Sequence, residues 1–395
     1  MRCRFWEPGV PIETQMRDQT LARIQRWWRE FDARRADLVD TFNERQNWDL
    51  TDWMAEHLQT IDNGLMWEFG PALRGEGHRL VITPEGTHRL QTLAQMIVDM
   101  APDFEGWEFH SARPASGDHL EVLIGARTGI DVSGTTVAVK PGRHRCIDLD
   151  YAFTNPEYAD AGLAIIVTEC LVGERTAGRW IGEISVSAGN SCEAFKRDAP
   201  LRDAGERIER ERRRLADSLP KQAIVDGTPS GKGTVWRVKP IPEKAPSFRF
   251  DITLAHSWLQ EVWEASLYSP NFASERFSGA GESFCCLQFE ETLDESSFDP
   301  ARGSEVERLL DQVLKSRRLG RVTGAAIGTR FAYVDLALKS LEAGIQAIRP
   351  PLRAHGVPRN SWIRFFDLDL AESEWVGIHP DTPLPPDVAD CKSLT

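Results

Sequence analysis

Phe331-Ala-Tyr-Val-Asp-Leu-Ala-Leu338, the stretch Leu341 to Ile348, and Trp362-Ile-Arg-Phe-Phe366 read in order as an apolar strand, an amphipathic helix and a strand that opens on tryptophan, with Pro358 in the turn before it. An earlier stretch, His78 to Arg113, spells the same unit. There Leu80, Val81 and Ile82 lead into a helix with Leu90, Leu93, Ala94, Ile97 and Val98 on one face, then Pro102 and Trp107-Glu-Phe109. The recurrence predicts an internal duplication of two related α+β domains. Outward from the later unit, a strand at 283–289, a helix carrying Val306, Leu309, Leu310, Val313 and Leu314, and strands at 321–327 and 330–338 complete a β-α-β-β-α-β order. That order is the ferredoxin-like split unit.

The rest of the chain divides around these units. Residues 1–60 form an N-terminal helical segment, in which Ile24, Trp28, Phe31, Leu38 and Phe42 keep helical spacing. Residues 61–187 form the first α+β domain, expected as one sheet with helices on one face. Residues 188–232 form a charged helical linker whose arginines and glutamates alternate at helical spacing, the pattern of a solvated helix. Residues 233–395 form the second, ferredoxin-like domain, with a helix expected over 255–267. Pro350-Pro351 falls inside its last long helix, which is expected to break near Ile348, because each proline removes a donor and crowds the preceding turn.

A length of 395 residues fits two domains of ordinary size, and 41% hydrophobic residues with 13 Trp and 18 Phe are enough to fill two cores. The net charge of −13 disfavours nucleic-acid binding, which draws its affinity from Lys and Arg against phosphate, and disfavours anionic membranes likewise. It suits solubility alone, or else encounter with a basic protein partner. The seven cysteines are odd in number and contain no C-x-x-C pair, and no apolar run opens the chain or reaches membrane-spanning length. A cytoplasmic location is expected.

The order of residues 283–369, ending in Trp362 and Phe365-Phe366-Asp367, resembles the regulator of ribonuclease activity B group and related bacterial proteins. The resemblance covers the last quarter of the chain. It implies an acidic protein that binds another protein and has no active site. The expected function is therefore non-enzymatic: binding of a protein partner, in the manner of an inhibitor or immunity protein, without a cofactor. Asp367, Asp369, Glu372 and Glu374 around Trp375 are the candidate partner-binding surface, since this run leaves the final strand with no apolar periodicity to bury it. The loop between the hairpin strands, with Gly324, Gly328, Arg330, Tyr333 and Asp335, is the candidate pocket. The alternative function is a metal-dependent hydrolase using an aspartate pair. Asp148 and Asp150, two apart on a strand and hence on one face, are candidate ligands for a hard cation, though no metal is favoured.

Overall fold

The computed structural model describes residues 11–45, 48–117, 120–155, 157, 160–187, 199–227, 233–240, 248–290, 303–371 and 374–387. It is a mixed α+β structure with a long N-terminal helix and three sheets. In chain order the elements are α1 (Pro11–Phe42), α2 (Leu50–His57), β1 (Met66–Pro71), β2 (His78–Thr83), α3 (Gln91–Asp99), β3 (Trp107–His110) and α4 (Leu120–Thr128). Then come β4 (Thr136–Pro141), β5 (Ile147–Ala152), α5 (Ala161–Val172), α6 (Glu174–Trp180), β6 (Ile181–Val186), β7 (Ala199–Pro200) and α7 (Leu201–Asp217). The last part holds β8 (Thr234–Arg237), β9 (Ile252–Ser257), α8 (Gln260–Tyr268), β10 (Ser283–Glu290), α9 (Glu305–Ser316), β11 (Gly320–Gly328) and β12 (Phe331–Leu338). It ends with α10 (Leu341–His355), β13 (Ser361–Phe365), α11 (Leu368–Ala371) and β14 (Trp375–Gly377). No helix among the described residues is long and apolar enough to cross a membrane.

Residues 61–187 do not make one sheet. β1-β2-β3 form a three-stranded sheet, while β6-β5-β4-β7 form a separate one of four strands. The aromatic stripe of α1 is what the first sheet needs: Trp27, Trp28 and Phe31 pack with Trp53, Leu80, Ile82, Leu93 and Ile97 in one core. The indole of Trp28 also donates to the Ile97 carbonyl at 2.9 Å. The N-terminal helices thus belong to the first sheet's core. In the charged linker, Leu201, Ala204 and Ile208 lie at the spacing of one helix face, and this face is buried against the second sheet. The other face stays charged, with Glu209 bridging Arg212 and Arg213.

The third sheet has seven strands in the order β14-β13-β10-β12-β11-β9-β8, antiparallel throughout. Its period-2 side chains divide two cores. Cys285, Leu287, Phe289, Val334, Leu336 and Ile363 face the helices α9 and α10. Phe284, Cys286, Tyr333, Trp362 and Phe366 face the segment that carries α8.

The two strand-helix-strand units are wired differently. β2 and β3 pair directly and in parallel, whereas β12 and β13 are separated by β10, antiparallel to both. Trp107 is accordingly half-buried and Trp362 buried. The expected break at Pro350-Pro351 does not occur either, because α10 runs from Leu341 to His355 with both prolines inside it. Ile345, Ile348 and Leu352 hold it against the sheet. Burying three such side chains, at about 2 kcal/mol each, roughly matches the cost of two internal prolines at about 3 kcal/mol each. Residues 255–267 are not one helix: 252–257 are strand, and the helix starts at Gln260.

Candidate functional site

The α8-facing side of the seven-stranded sheet carries a polar layer that an apolar sheet would not need. Register places Asp335, Cys286 and Arg364 side by side across β12, β10 and β13, and Tyr333, Gln288 and Trp362 in the next row. All six are buried. A buried charge is tolerable only when paired, so the partners define the site. Arg249, from the turn before β9, pairs with Asp335 at 3.1 Å, donates to Ser266 Oγ at 2.9 Å, and lies over the rings of Tyr333 and Phe366. Asp251 accepts the Tyr333 hydroxyl at 2.5 Å and the amides of Arg330 and Phe331 at 2.8 and 3.0 Å.

The candidate pocket residues therefore form structure rather than a cavity wall. Gly328 leaves room for the Asp251 carboxylate, and Gly324 lets β11 lie close to the His256 carbonyl; a Cβ at either place would collide. Tyr333 and Asp335 are interior, and Arg330 is exposed with its guanidinium over Phe331. Burial raises the Cys286 thiol to about 12, against the pull of Arg249 and Arg364, so this cysteine remains a protonated packing residue at neutral pH.

The layer opens to the surface at Arg364. This side chain is 1% exposed, lies 4.4 Å from the Phe248 ring, and donates from both terminal nitrogens to Asp387 at 2.9 and 2.6 Å. Above it is a cavity of about 230 Å³ walled by Phe248, Tyr268, Phe272, Phe366 and Ala371. Asp387 sits at the rim with 41% of its side chain exposed.

The candidate acidic surface turns inward. Asp367 accepts the Ser274 amide and hydroxyl at 2.7 and 2.5 Å. Burial, reinforced by the nearby Asp369 charge, raises its carboxyl to about 6 against the pull of those hydrogen bonds and of Arg179. Asp369 pairs with Arg179 of α6 at 2.9 Å. Glu374 and Trp375 are 2% and 5% exposed, and Glu372 lies outside the described residues. Asp367 and Asp369 line a cavity of about 60 Å³ shared with His88, Glu174 and Arg179. Asp367 caps the turn at Ser274 rather than opening a solvated run.

Asp148 and Asp150 do share a face, but each has its own partners. Asp148 accepts the Glu183 amide at 2.9 Å, while Asp150 holds Ser187 Oγ at 2.8 Å and Lys140 at 3.3 Å. Among the described residues no group of three or more His, Cys, Asp or Glu could hold a metal ion. Sequence reasoning missed Arg249, Asp251, Gln288 and Arg364. Gln288 and Arg364 carried a signal, a polar residue at the same parity as the buried aromatics Phe284 and Trp362, whereas Arg249 and Asp251 lie in the turn before β9, at the opposite parity to Phe248 and Phe250, and gave none. Comparison of the chain with family models, with curated proteins and with solved structures finds no match.

Proposed function

We propose that the protein acts by binding a protein partner, in the manner of an inhibitor or immunity protein, and that the pocket over Arg364 receives the partner's anchoring side chain. The observation that supports this reading is the aromatic cavity of about 230 Å³ floored by a buried, paired arginine. Interface anchors are single apolar or aromatic side chains seated in such pockets. The exposed Asp387 carboxylate at the rim suits a Lys or Arg beside that anchor, and the net charge of −13 would steer a basic partner toward it. The strand order β13-β10-β12-β11, antiparallel throughout, supports reading residues 283–365 as a ferredoxin-like split unit. That is the arrangement implied by the resemblance to the regulator of ribonuclease activity B group. The separate sheets of residues 66–200 give no matching support to a second copy. No observation favours the metal-dependent hydrolase, whose aspartates already have protein partners.

The test is affinity capture from the source cell with the wild type and with Ala371→Trp, which fills the pocket from its wall. The reading expects a stoichiometric basic protein on the wild type, released by salt and lost from the filled variant. Equal capture by both moves the interface elsewhere, and no stoichiometric capture defeats the reading.

A further inference from the structure

The Arg364 pocket shares a wall with the cavity of about 60 Å³ beside Asp367, since Phe272 and Leu368 line both. The wall consists of two short segments, 272–276 and 366–371, clasped together by hydrogen bonds. The Leu368 amide donates to the Phe272 carbonyl at 3.0 Å, and the Ser274 amide and hydroxyl donate to the Asp367 carboxylate at 2.7 and 2.5 Å. Arg179 of α6 staples the two segments from behind. It reaches Asp369 on α11 at 2.9 Å and Glu275 on the other segment at 3.3 Å.

The clasp depends on a carboxylate in an unfavourable place. The hydrogen-bond donors to Asp367 are neutral, and it has no ion pair among the described residues. Charged groups face it from every element around the cavity. Asp369 is the next carboxylate on α11, and Arg179 divides its charge between Asp369 and Glu275. Arg276, on the Ser274 segment, turns away to Cys146 and the Asn271 carbonyl. Across the cavity, Glu174 is occupied by the Thr83 hydroxyl and the Arg113 amide, Glu169 lies 3.9 Å from Arg113, and His88 and Arg175 complete the lining. Burial and the Asp369 charge together raise the Asp367 carboxyl to about 6. Such a group binds its proton more tightly while the wall is closed than when opening lets water reach it. Low pH therefore favours the closed wall, and ionisation of Asp367 works against it.

We propose that Asp367 makes the wall of the Arg364 pocket a proton-operated clasp, closed in acid and loosened as the carboxylate ionises, so that the pocket holds its ligand more tightly at low pH. The proposal rests on reading that pocket as the seat of a partner's anchor. A ligand that needs the closed wall binds more tightly where the closed wall is favoured. Its binding in turn holds the proton on Asp367, because coupling between two sites is reciprocal. The connection is of the shortest kind. Phe272 and Leu368 belong to both cavities, so the coupling crosses one layer of side chains rather than the fold.

The test uses the full-length protein and, standing in for an anchor, a tryptophan-lysine dipeptide capped at both ends. Hydrogen exchange is followed in steps from pH 5 to pH 7.5 and expressed as protection relative to unstructured peptide. Amides of 272–276 and 367–371 should lose about fivefold or more of their protection across that range, while β10 and β12 keep theirs. Calorimetry should show the dipeptide binding about fivefold or more tighter at pH 5 than at pH 7.5. Asp367→Asn should abolish both changes. Asp369→Asn, which removes the neighbouring charge, should move the midpoint of both to lower pH. Protection that does not change with pH overturns the clasp, as does an unmoved midpoint in Asp369→Asn. A change that survives Asp367→Asn belongs to another group, such as His88, and overturns it too. A dipeptide that binds equally at both pH values while protection changes overturns the coupling and leaves the pocket reading in place. A dipeptide that binds at neither pH defeats the pocket reading itself, and the coupling with it.

Discussion

Arg364 shows how one side chain joins core to surface. Its guanidinium is buried, but the carboxylate that neutralises it comes from the exposed Asp387. Removing one member of a fully buried pair costs roughly 3 to 5 kcal/mol, and partial exposure of Asp387 reduces that. Asp387→Ala should therefore cost about 2 kcal/mol in urea unfolding, and Arg364→Met in the same background should recover part of the loss. If Asp387→Ala is neutral, water replaces the carboxylate and the fork is dispensable. Tyr333→Phe is the second residue-scale case. It leaves a buried Asp251 oxygen without its 2.5 Å donor and should cost about 1 to 3 kcal/mol. Neither arginine of the layer stood out in the sequence, since one charge in an aromatic-rich strand reads equally as an outward-facing residue. The parity of Arg364 with Trp362 was legible, but Arg249 lies in a turn, and its partner Asp335 is 86 residues away.

At the scale of elements, α10 and the two tryptophan-led strands can be tested directly. Pro350 and Pro351 remove two amide donors from a helix that nonetheless continues, so Pro350→Ala with Pro351→Ala should raise the melting temperature. A fall would mean that the helix bends at that point and needs the prolines. Trp362 is buried at the start of β13 and donates to the Pro383 carbonyl at 2.7 Å. Its replacement by Ala should cost roughly 3 to 5 kcal/mol, and Trp107→Ala, at a half-buried place beside Phe31, distinctly less. Equal costs would restore the equivalence of the two units. The helices and strands themselves were legible from periodicity. Pairing was not: a strand's pattern states which face is buried, and leaves open whether its parallel companion is adjacent, as for β2 and β3, or one strand removed, as for β12 and β13.

For the whole molecule, the seam between the sheets predicts a pH dependence. Asp367 has a folded-state pKa of about 6, above the ordinary value of 3.8. The native state then binds its proton more tightly than the unfolded chain. This contribution to stability is fully present below about pH 4 and is lost as pH rises through about 6. Asp367→Asn, which cannot ionise, should gain melting temperature relative to the wild type between pH 5 and pH 7.5. A gap that does not change with pH would place Asp367 in solvent. Arg179 crosses the same seam to Glu275 and Asp369, so Arg179→Ala should loosen it and leave the four cores intact. Hydrogen exchange would report this as faster opening around 174–180 and 367–371, with β10 and β12 unchanged.

The sequence by itself determined most of the local structure: most helices and strands follow from spacing, and the succession of elements along 283–365 follows from turn and helix signals. It also determined the net charge, on which the partner reading draws. Only the tertiary structure decided which acids are solvated, because Glu374 is buried and Asp367 and Asp369 are half-buried with partners up to 190 residues distant. It alone divided residues 66–200 into two sheets, since hydrogen-bonded neighbours are chosen by packing across the molecule. And it alone made Phe272 and Leu368, which no local pattern connects, one wall between two cavities.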